Sequence, residues 1–208
     1  MKTFEEAMDF RHACKAFDDS KEISDKDMRY ILEAGRKSPS SFGMEAWKVL
    51  VITNEALKAK LRPACWDQVQ ITSCSHLVII LAGIESAKPE SGLVKARFSR
   101  REMPQETLDF YMGLYSSHLK NTLSSDDNIY SWTSKQSYIA LGNMMTAGAV
   151  LGIDSCPIEG LDKDKVEEIL ELDISKYRLS VVVPFGYRIN EQSEQVRLDF
   201  DEVVEFIK

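Results

Sequence analysis

Apolar and polar positions follow two rhythms along this chain, and most of its elements can be read where one rhythm gives way to the other. Thr3 followed by Glu6 is a capping-box pattern and predicts a short helix starting near Phe4. Ser24 with Asp27 marks a second start. Met28, Ile31, Leu32 and Gly35 then recur at i, i+3, i+4 and i+7, which predicts an amphipathic helix to about Arg36. Pro39 stops it, and Ser38-Pro39-Ser40-Ser41-Phe42-Gly43 reads as a loop. Trp47 to Thr53 is rich in branched and aromatic residues and predicts a strand; Glu55 to Leu61 predicts a helix. Leu77 to Ala82 is an unbroken apolar run, short enough for a strand buried on both faces.

The second half is more helical. Ser86 to Arg101 is polar, holds Pro89 and Gly92, and is expected to be a loop or irregular insert, followed by a helix from Thr107 to Leu123. Ser131 precedes the longest pattern, running from Trp132 through Tyr138, Leu141, Met144 and Met145 to Leu151. It is apolar on most sides, which marks a core helix. Gly152 fits its C′ position. Gly148, four residues earlier, either admits a neighbouring helix or is simply tolerated. Asp162 to Leu170 predicts a helix and Leu179 to Tyr187 a strand, with Pro184 near its end. Phe200 to Ile207 carries spaced apolar residues that need something to pack on. Strands separated by helices imply an α/β or α+β sheet-centred fold. No repeat or linker divides the 208 residues, so one domain is expected, with a variable insert at about 86–130.

Composition removes several classes of function. Lys plus Arg number 26 and Asp plus Glu 33, a net charge of −7, which argues against nucleic acid or an anionic membrane as partner. The four cysteines, Cys14, Cys65, Cys74 and Cys156, form no C-x-x-C pair, so neither a zinc ribbon nor a thioredoxin-type motif is indicated. So few thiols in a chain this long suit a reducing compartment. Glu5, Glu6 and Asp9 stand where a signal peptide needs an apolar run, and Leu77 to Ile84 is too short to span a bilayer. A cytoplasmic protein is expected.

The chain has no G-x-G-x-x-G after a strand, no phosphate-binding G-x-x-x-x-G-K-[ST], no H-E-x-x-H and no G-x-S-x-G. His12, His76 and His118 have no metal-ligand spacing, and no metal is expected. What remains is less generic. Arg11-His12-Ala13-Cys14-Lys15 places two permanent cations and an imidazole after the first helix, a composition that suits a phosphate but, taken alone, more often marks a solvated turn. Pro39-Ser40-Ser41 offers hydroxyls and backbone donors. Gly160, in Cys156-Pro157-Ile158-Glu159-Gly160, lets backbone approach a flat group.

In order, R-H-x-x-K-x-F at Arg11–Phe17, S-P-S-S-F-G-x-E-x-W at Ser38–Trp47, G-I-D-S-C-P-I-E-G at Gly152–Gly160 and V-V-V-P-F-G at Val181–Gly186 resemble the nitroreductase family of FMN-dependent NAD(P)H oxidoreductases, over about Phe4 to Arg197. The resemblance implies an α+β, three-layer α/β/α sandwich with a mixed central sheet. It implies an intertwined homodimer in which a C-terminal tail from about 190 packs on the other subunit. FMN would sit between subunits. Arg11, with His12 and Ala13 beside it, and Arg197 would serve its phosphate, and Lys15 its pyrimidine edge. Pro39, Ser40, Ser41 and Gly43 would come from the partner chain. Asp67, Gln70 and Gln136 would lie near the flavin, and Pro157, Ile158, Glu159 and Gly160 would present backbone to it.

The same resemblance implies ping-pong chemistry. NADPH or NADH gives up a hydride, and a flat acceptor such as a nitroaromatic, quinone, flavin or pteridine then takes its place. Lys15 would tune the flavin, no side-chain acid or base is required, and Cys14 and Cys156 are not expected to act as catalytic thiols. Phe110, Tyr111 and Tyr115 are candidates for the acceptor slot. Relatives usually carry a hydroxyl residue where Ala13 stands and often a Lys where Gln195 stands, and Asp67 places a negative charge beside the pyrimidine position. These departures leave an alternative, an FMN-binding protein with little turnover that stores or senses flavin.

Overall fold

The computed structural model describes residues 1–208. In chain order the elements are α1 (Phe4–Phe10), α2 (Asp25–Arg36), β1 (Trp47–Ile52), α3 (Glu55–Ala64), α4 (Gln70–Ser73), β2 (His76–Gly83), α5 (Leu93–Phe98), α6 (Gln105–Thr122), α7 (Asp126–Val150), β3 (Asp154–Ser155), α8 (Lys163–Ile169), β4 (Tyr177–Gly186) and α9 (Phe200–Val203). The strands form one sheet in the order β1-β2-β4-β3.

β2 is the reason for three layers. Its side chains alternate across the sheet by the two-residue period of a strand. Leu77, Ile79 and Leu81 join one buried cluster, with Leu61 of α3 and Val166 of α8. Val78 and Ile80 join another, with Ile31 of α2 and with Leu141 and Met144 of α7. A strand apolar on both faces must be covered on both, so helices lie above and below. The expected sandwich is therefore present. The named strands all pair antiparallel, and the mixed character expected for the sheet is confined to one isolated parallel bridge, Ala13 with Ser155.

Local signals explain the helix starts. Thr3 and Glu6 form a complete capping box: the Glu6 N–H donates to Thr3 Oγ1 at 3.2 Å, and the Thr3 N–H to Glu6 Oε2 at 2.7 Å. Ser24 and Asp162 cap α2 and α8 with their side chains. Gly152 takes φ +77° directly after the α7 C-cap, as a C′ glycine should.

Four expectations need correction. The long helix begins at Asp126, not near Ser131: Ser125 Oγ accepts the Asn128 N–H, and Asp126 and Asp127 sit favourably in the first turn. Ser86 to Arg101 is more ordered than a loop, with two 3-10 turns and then α5. Val94 and Phe98 of α5 join Met44, Leu108, Tyr115 and Ile129 in a third buried cluster, so the insert has its own small core. Tyr115 is fully buried, and its hydroxyl donates to the Ala87 carbonyl at 2.6 Å, which removes it from any acceptor slot. Finally, Gly148 makes room for a strand: a Cβ there would lie 3.3 Å from the Phe185 ring of β4.

The tail contains only the short α9. Val196, Leu198, Phe200, Val203, Phe206 and Ile207 are all exposed. No helix of the structure is long and apolar enough to cross a membrane.

Candidate functional site

The first half of the site is built on the sheet. Arg11 ends α1 in an extended conformation, and the chain then runs beside β3, where Ala13 bridges Ser155 and the Cys14 N–H donates to the Ser155 carbonyl at 3.1 Å. Farther along, Ile158 bridges Val182 of β4. Two backbone attachments thus set Arg11–Lys15 beside Cys156–Gly160. Lys15 Nζ lies 3.7 Å from Cys156 Sγ, and Gln70 Nε2 lies 3.9 Å from the same sulfur. Gln70 also donates to Gln68 Oε1 at 2.9 Å, and Gln68 donates to the Gly160 carbonyl at 2.8 Å. Lys15, Gln70, Cys156 and Gly160 are therefore joined in one chain of side-chain contacts, the last through Gln68.

Glu159 is exposed and accepts the Tyr138 hydroxyl of α7 at 2.5 Å. Burial and then this carboxylate push the Tyr138 phenol well above its ordinary range, so it stays a donor. Burial also raises the Cys156 thiol, with Lys15 partly offsetting it, and raises Cys14 to about 11. Both thiols remain protonated at neutral pH, which suits neither nucleophilic nor metal-ligating use. Pro157 is half-buried and Ile158 buried, so that stretch contributes backbone more than side chain.

Gly160 is approached by a flat group, an indole. A Cβ at Gly160 would lie 2.8 Å from the Trp66 ring. Trp66 is 69% exposed, and it and Asp67 both have φ +53°, a left-handed conformation that non-glycine residues adopt at a cost. The Asp67 carboxylate is exposed and forms no ion pair.

His12 packs against an ion pair that the sequence did not point to. Arg188 donates to Asp154 Oδ1 from Nη2 at 2.6 Å and from Nε at 2.8 Å, and its backbone N–H donates to Oδ2 at 3.0 Å. Asp154 is almost fully buried. His12 Nδ1 is 3.7 Å from Asp154 Oδ1, buried, and without a hydrogen-bond partner. Burial and then Arg188 hold the His12 pKa below its ordinary 6.5, so the ring is neutral at pH 7. His12, Cys14 and Asp154 present ligand-type atoms within 4.8 Å of one another, but Arg188 already occupies the Asp154 carboxylate.

The second half is a turn pinned by side chains. Asn143 of α7 donates to Ser38 Oγ at 2.8 Å, and Gln136 Oε1 accepts the Ser41 N–H at 2.9 Å. Ser40 Oγ accepts the Glu45 N–H at 2.8 Å. The turn is conformationally costly at Phe42 and Glu45, which take positive φ at 55° and 46°, whereas Gly43 adopts its 67° freely. Phe42 is steadied by an edge contact with Tyr115, ring centroids 5.2 Å apart. Pro39 is exposed at its tip.

The structure thus gathers Arg11, His12, Ala13, Lys15, Gln70, Glu159 and Gly160 on one side and Pro39, Ser40, Ser41, Gly43 and Gln136 on the other. No hydrogen bond or ion pair joins the two groups within the chain; α7 carries both, through Tyr138 and Gln136. Arg197 is exposed and donates only to its neighbouring Val196 carbonyl at 2.8 Å. Gln195, by contrast, donates to the carbonyls of Met8, Asp9 and Arg11 at 3.0, 2.9 and 2.5 Å, tying the tail to the chain that carries Arg11. Tyr138, Trp66, Gln68, Asn143 and the Asp154–Arg188 pair were not anticipated. Tyr138 was read only as part of the core-helix pattern, and Asp154 only inside the G-I-D-S-C-P-I-E-G stretch.

Comparison with known proteins agrees over the whole chain. The sequence profile of the nitroreductase family matches residues 8–187. A Bacillus subtilis (strain 168) protein provisionally named NAD(P)H nitroreductase YfkO is 42% identical over 212 residues, which cover 97% of this chain and 96% of the relative. A Haemophilus influenzae relative with a similar provisional name is 42% identical over 206 residues, 95% of this chain and 93% of its own. Among solved structures, a provisionally described NAD(P)H:FMN oxidoreductase from Staphylococcus epidermidis superposes with a TM-score of 0.87 at 22% identity, covering 100% of this chain and 97% of the other. A provisionally named nitroreductase from Exiguobacterium sibiricum, crystallised with FMN, gives 0.84 at 24% identity, covering 99% and 98%. The chain belongs to the nitroreductase family.

Proposed function

We propose that this protein is an FMN-dependent oxidoreductase that takes electrons from NADPH or NADH and passes them to a flat acceptor. The observation that carries the reading is the contact cluster of Lys15, Gln70, Cys156 and Gly160 on the stretch that follows Arg11. The residues fit the group. Arg11 and Lys15 form no ion pair, although the chain has a surplus of carboxylates, so two cations stand free for a phosphate and for the electron-rich edge of a flavin. His12 Nδ1 and Ser155 Oγ, next to this stretch, are both buried without hydrogen-bond partners.

When bound, FMN supplies hydride acceptance and donation, chemistry that no side chain here can perform. The protein's own part is binding and electrostatics. Arg11, with Arg197 from the neighbouring tail, would hold the phosphate. Lys15 would favour negative charge at the pyrimidine edge. Gln70 and the backbone of Pro157–Gly160 would fix the ring plane, and Asp67 sets the limit on how negative that edge becomes. Donor and acceptor would use one slot in turn, so nitroaromatics, quinones, flavins and pteridines are all compatible in shape.

The split site supports a homodimer. The Pro39–Gly43 turn makes no hydrogen bond to the Arg11–Lys15 or Pro157–Gly160 stretches of its own chain, and the apolar side chains of the tail lie exposed. A second copy would supply both contacts.

An absorption spectrum before and after anaerobic addition of NADPH tests the reading. A yellow protein, or one that takes up FMN, bleached by NADPH or NADH, is expected. A protein that binds no FMN overturns it. Bound FMN that neither nicotinamide bleaches would instead favour flavin storage or sensing, the reading that Asp67 and Gln195 prompt.

A further inference from the structure

NADPH differs from NADH at one place, the adenosine 2′ position, where it carries a phosphate instead of a hydroxyl. We propose that Arg101, supported by Arg100 and Arg97, binds that phosphate and makes the protein select NADPH. The proposal rests on the nicotinamide-dependent reading above.

The insert folds back onto the Pro39–Gly43 turn and leaves a cavity of about 280 Å³, lined by Phe42, Gly43, Glu45, Arg97, Arg100 and Arg101 among others. Its guanidinium groups are not equivalent. Arg100 is committed: it donates to both Glu45 oxygens, at 3.0 and 3.2 Å, and reaches the Gly43 carbonyl at 3.4 Å. Half-buried Arg97 donates to the Ser86 carbonyl at 2.5 Å, which fixes its direction. Arg101 makes no side-chain hydrogen bond and no ion pair. Its Nη2 lies 3.2 Å from where a Cβ on Gly43 would stand. Glu45 is the one carboxylate among the three cations, so the cavity keeps a surplus of positive charge in a chain of net charge −7.

A free guanidinium beside two anchored ones suits a phosphate, because its planar fork can give two parallel hydrogen bonds to phosphate oxygens. Gly43 matters here by its lack of a side chain: at φ +67° and this spacing, any larger residue would press on Arg101.

The test compares the ratio of kcat/KM for NADPH to that for NADH in the FMN-loaded protein and in Arg101→Ala and Arg101→Lys. Calorimetric titration with adenosine 2′,5′-bisphosphate and with AMP runs beside it. The ratio should favour NADPH, fall about tenfold in Arg101→Ala, and recover in part in Arg101→Lys. The bisphosphate should bind more tightly than AMP and lose that advantage in Arg101→Ala. A ratio that Arg101→Ala leaves in place, or a bisphosphate that binds no better than AMP, overturns the proposal. If neither nicotinamide is oxidised, the oxidoreductase reading fails, and the titration alone decides the Arg101 site.

Discussion

The two halves of the site are held by different kinds of bond. The Arg11–Lys15 wall hangs on backbone bridges to β3 and β4, continuous with a sheet whose central strand is buried on both faces. The Pro39–Gly43 turn hangs on side chains, Gln136 and Asn143 of α7 and its own Ser40, and takes positive φ at Phe42 and Gly43, with Glu45 just beyond it. Backbone attachment fixes position whatever the side chains are. Side-chain attachment can be lost residue by residue. The half that would grip the flavin most directly is thus the rigid one, and the half that would meet a second copy is the adjustable one.

The largest effect is expected from removing the arm that would hold two copies together. Deleting residues 191–208 takes away the Gln192 and Gln195 bonds to the α1 region and the exposed apolar tail. Sedimentation should show a smaller species, and FMN affinity should fall by about two orders of magnitude, on the order of 3 kcal/mol. A truncated protein of native size and affinity would show that neither half needs a neighbour. Arg11→Ala probes the rigid half alone. FMN retention should drop at least about tenfold. The melting temperature of FMN-free protein should move by less than about 2 °C, because an unpaired half-exposed guanidinium contributes little to folding.

Gln136→Ala probes the adjustable half. It strands the Ser41 N–H and should cost ~1 kcal/mol, or about 3 °C in melting temperature. An equal loss of stability in Arg11→Ala and Gln136→Ala would erase the distinction between the halves. The smallest effect concerns protons. His12 has its pKa depressed below 6.5 in the folded state, so below that pH the unfolded chain takes up a proton that the folded chain refuses. Stability should decline as pH falls through about 6.5. His76, also depressed by burial, acts in the same direction. His12→Asn should therefore flatten the slope without abolishing it, as urea titrations between pH 5 and 7 would show.

Features carried by short stretches of sequence were legible. The Thr3–Glu6 box, the Ser24 and Asp162 caps and the double-faced apolar run of β2 each need only neighbours in the chain. The α7 start was misplaced because Asp126 to Tyr130 breaks the apolar pattern, while the cap at Ser125 that decides it looks like one serine among several. The insert read as a loop because the residues that order it, Met44 and Ile129 among them, are distant in sequence. Lys15, Gln70, Glu159 and Gly160 were located through the resemblance, since nothing in their own spacing brings them together. Arg188 and Asp154, 34 residues apart, were illegible for the same reason. Gln195 illustrates the reverse: an absent cation in the sequence is, in three dimensions, a side chain occupied with three carbonyls.

That occupied glutamine also sets a mechanical limit. Beyond Gln195 the chain is a tether, residues 196–208, able to span about 45 Å when drawn straight. Whatever its greasy end grasps must lie inside that radius of α1. Subunits joined by such mutual tethers would have to let go of both ends before they could part, so exchange between old and newly made pairs should be slow.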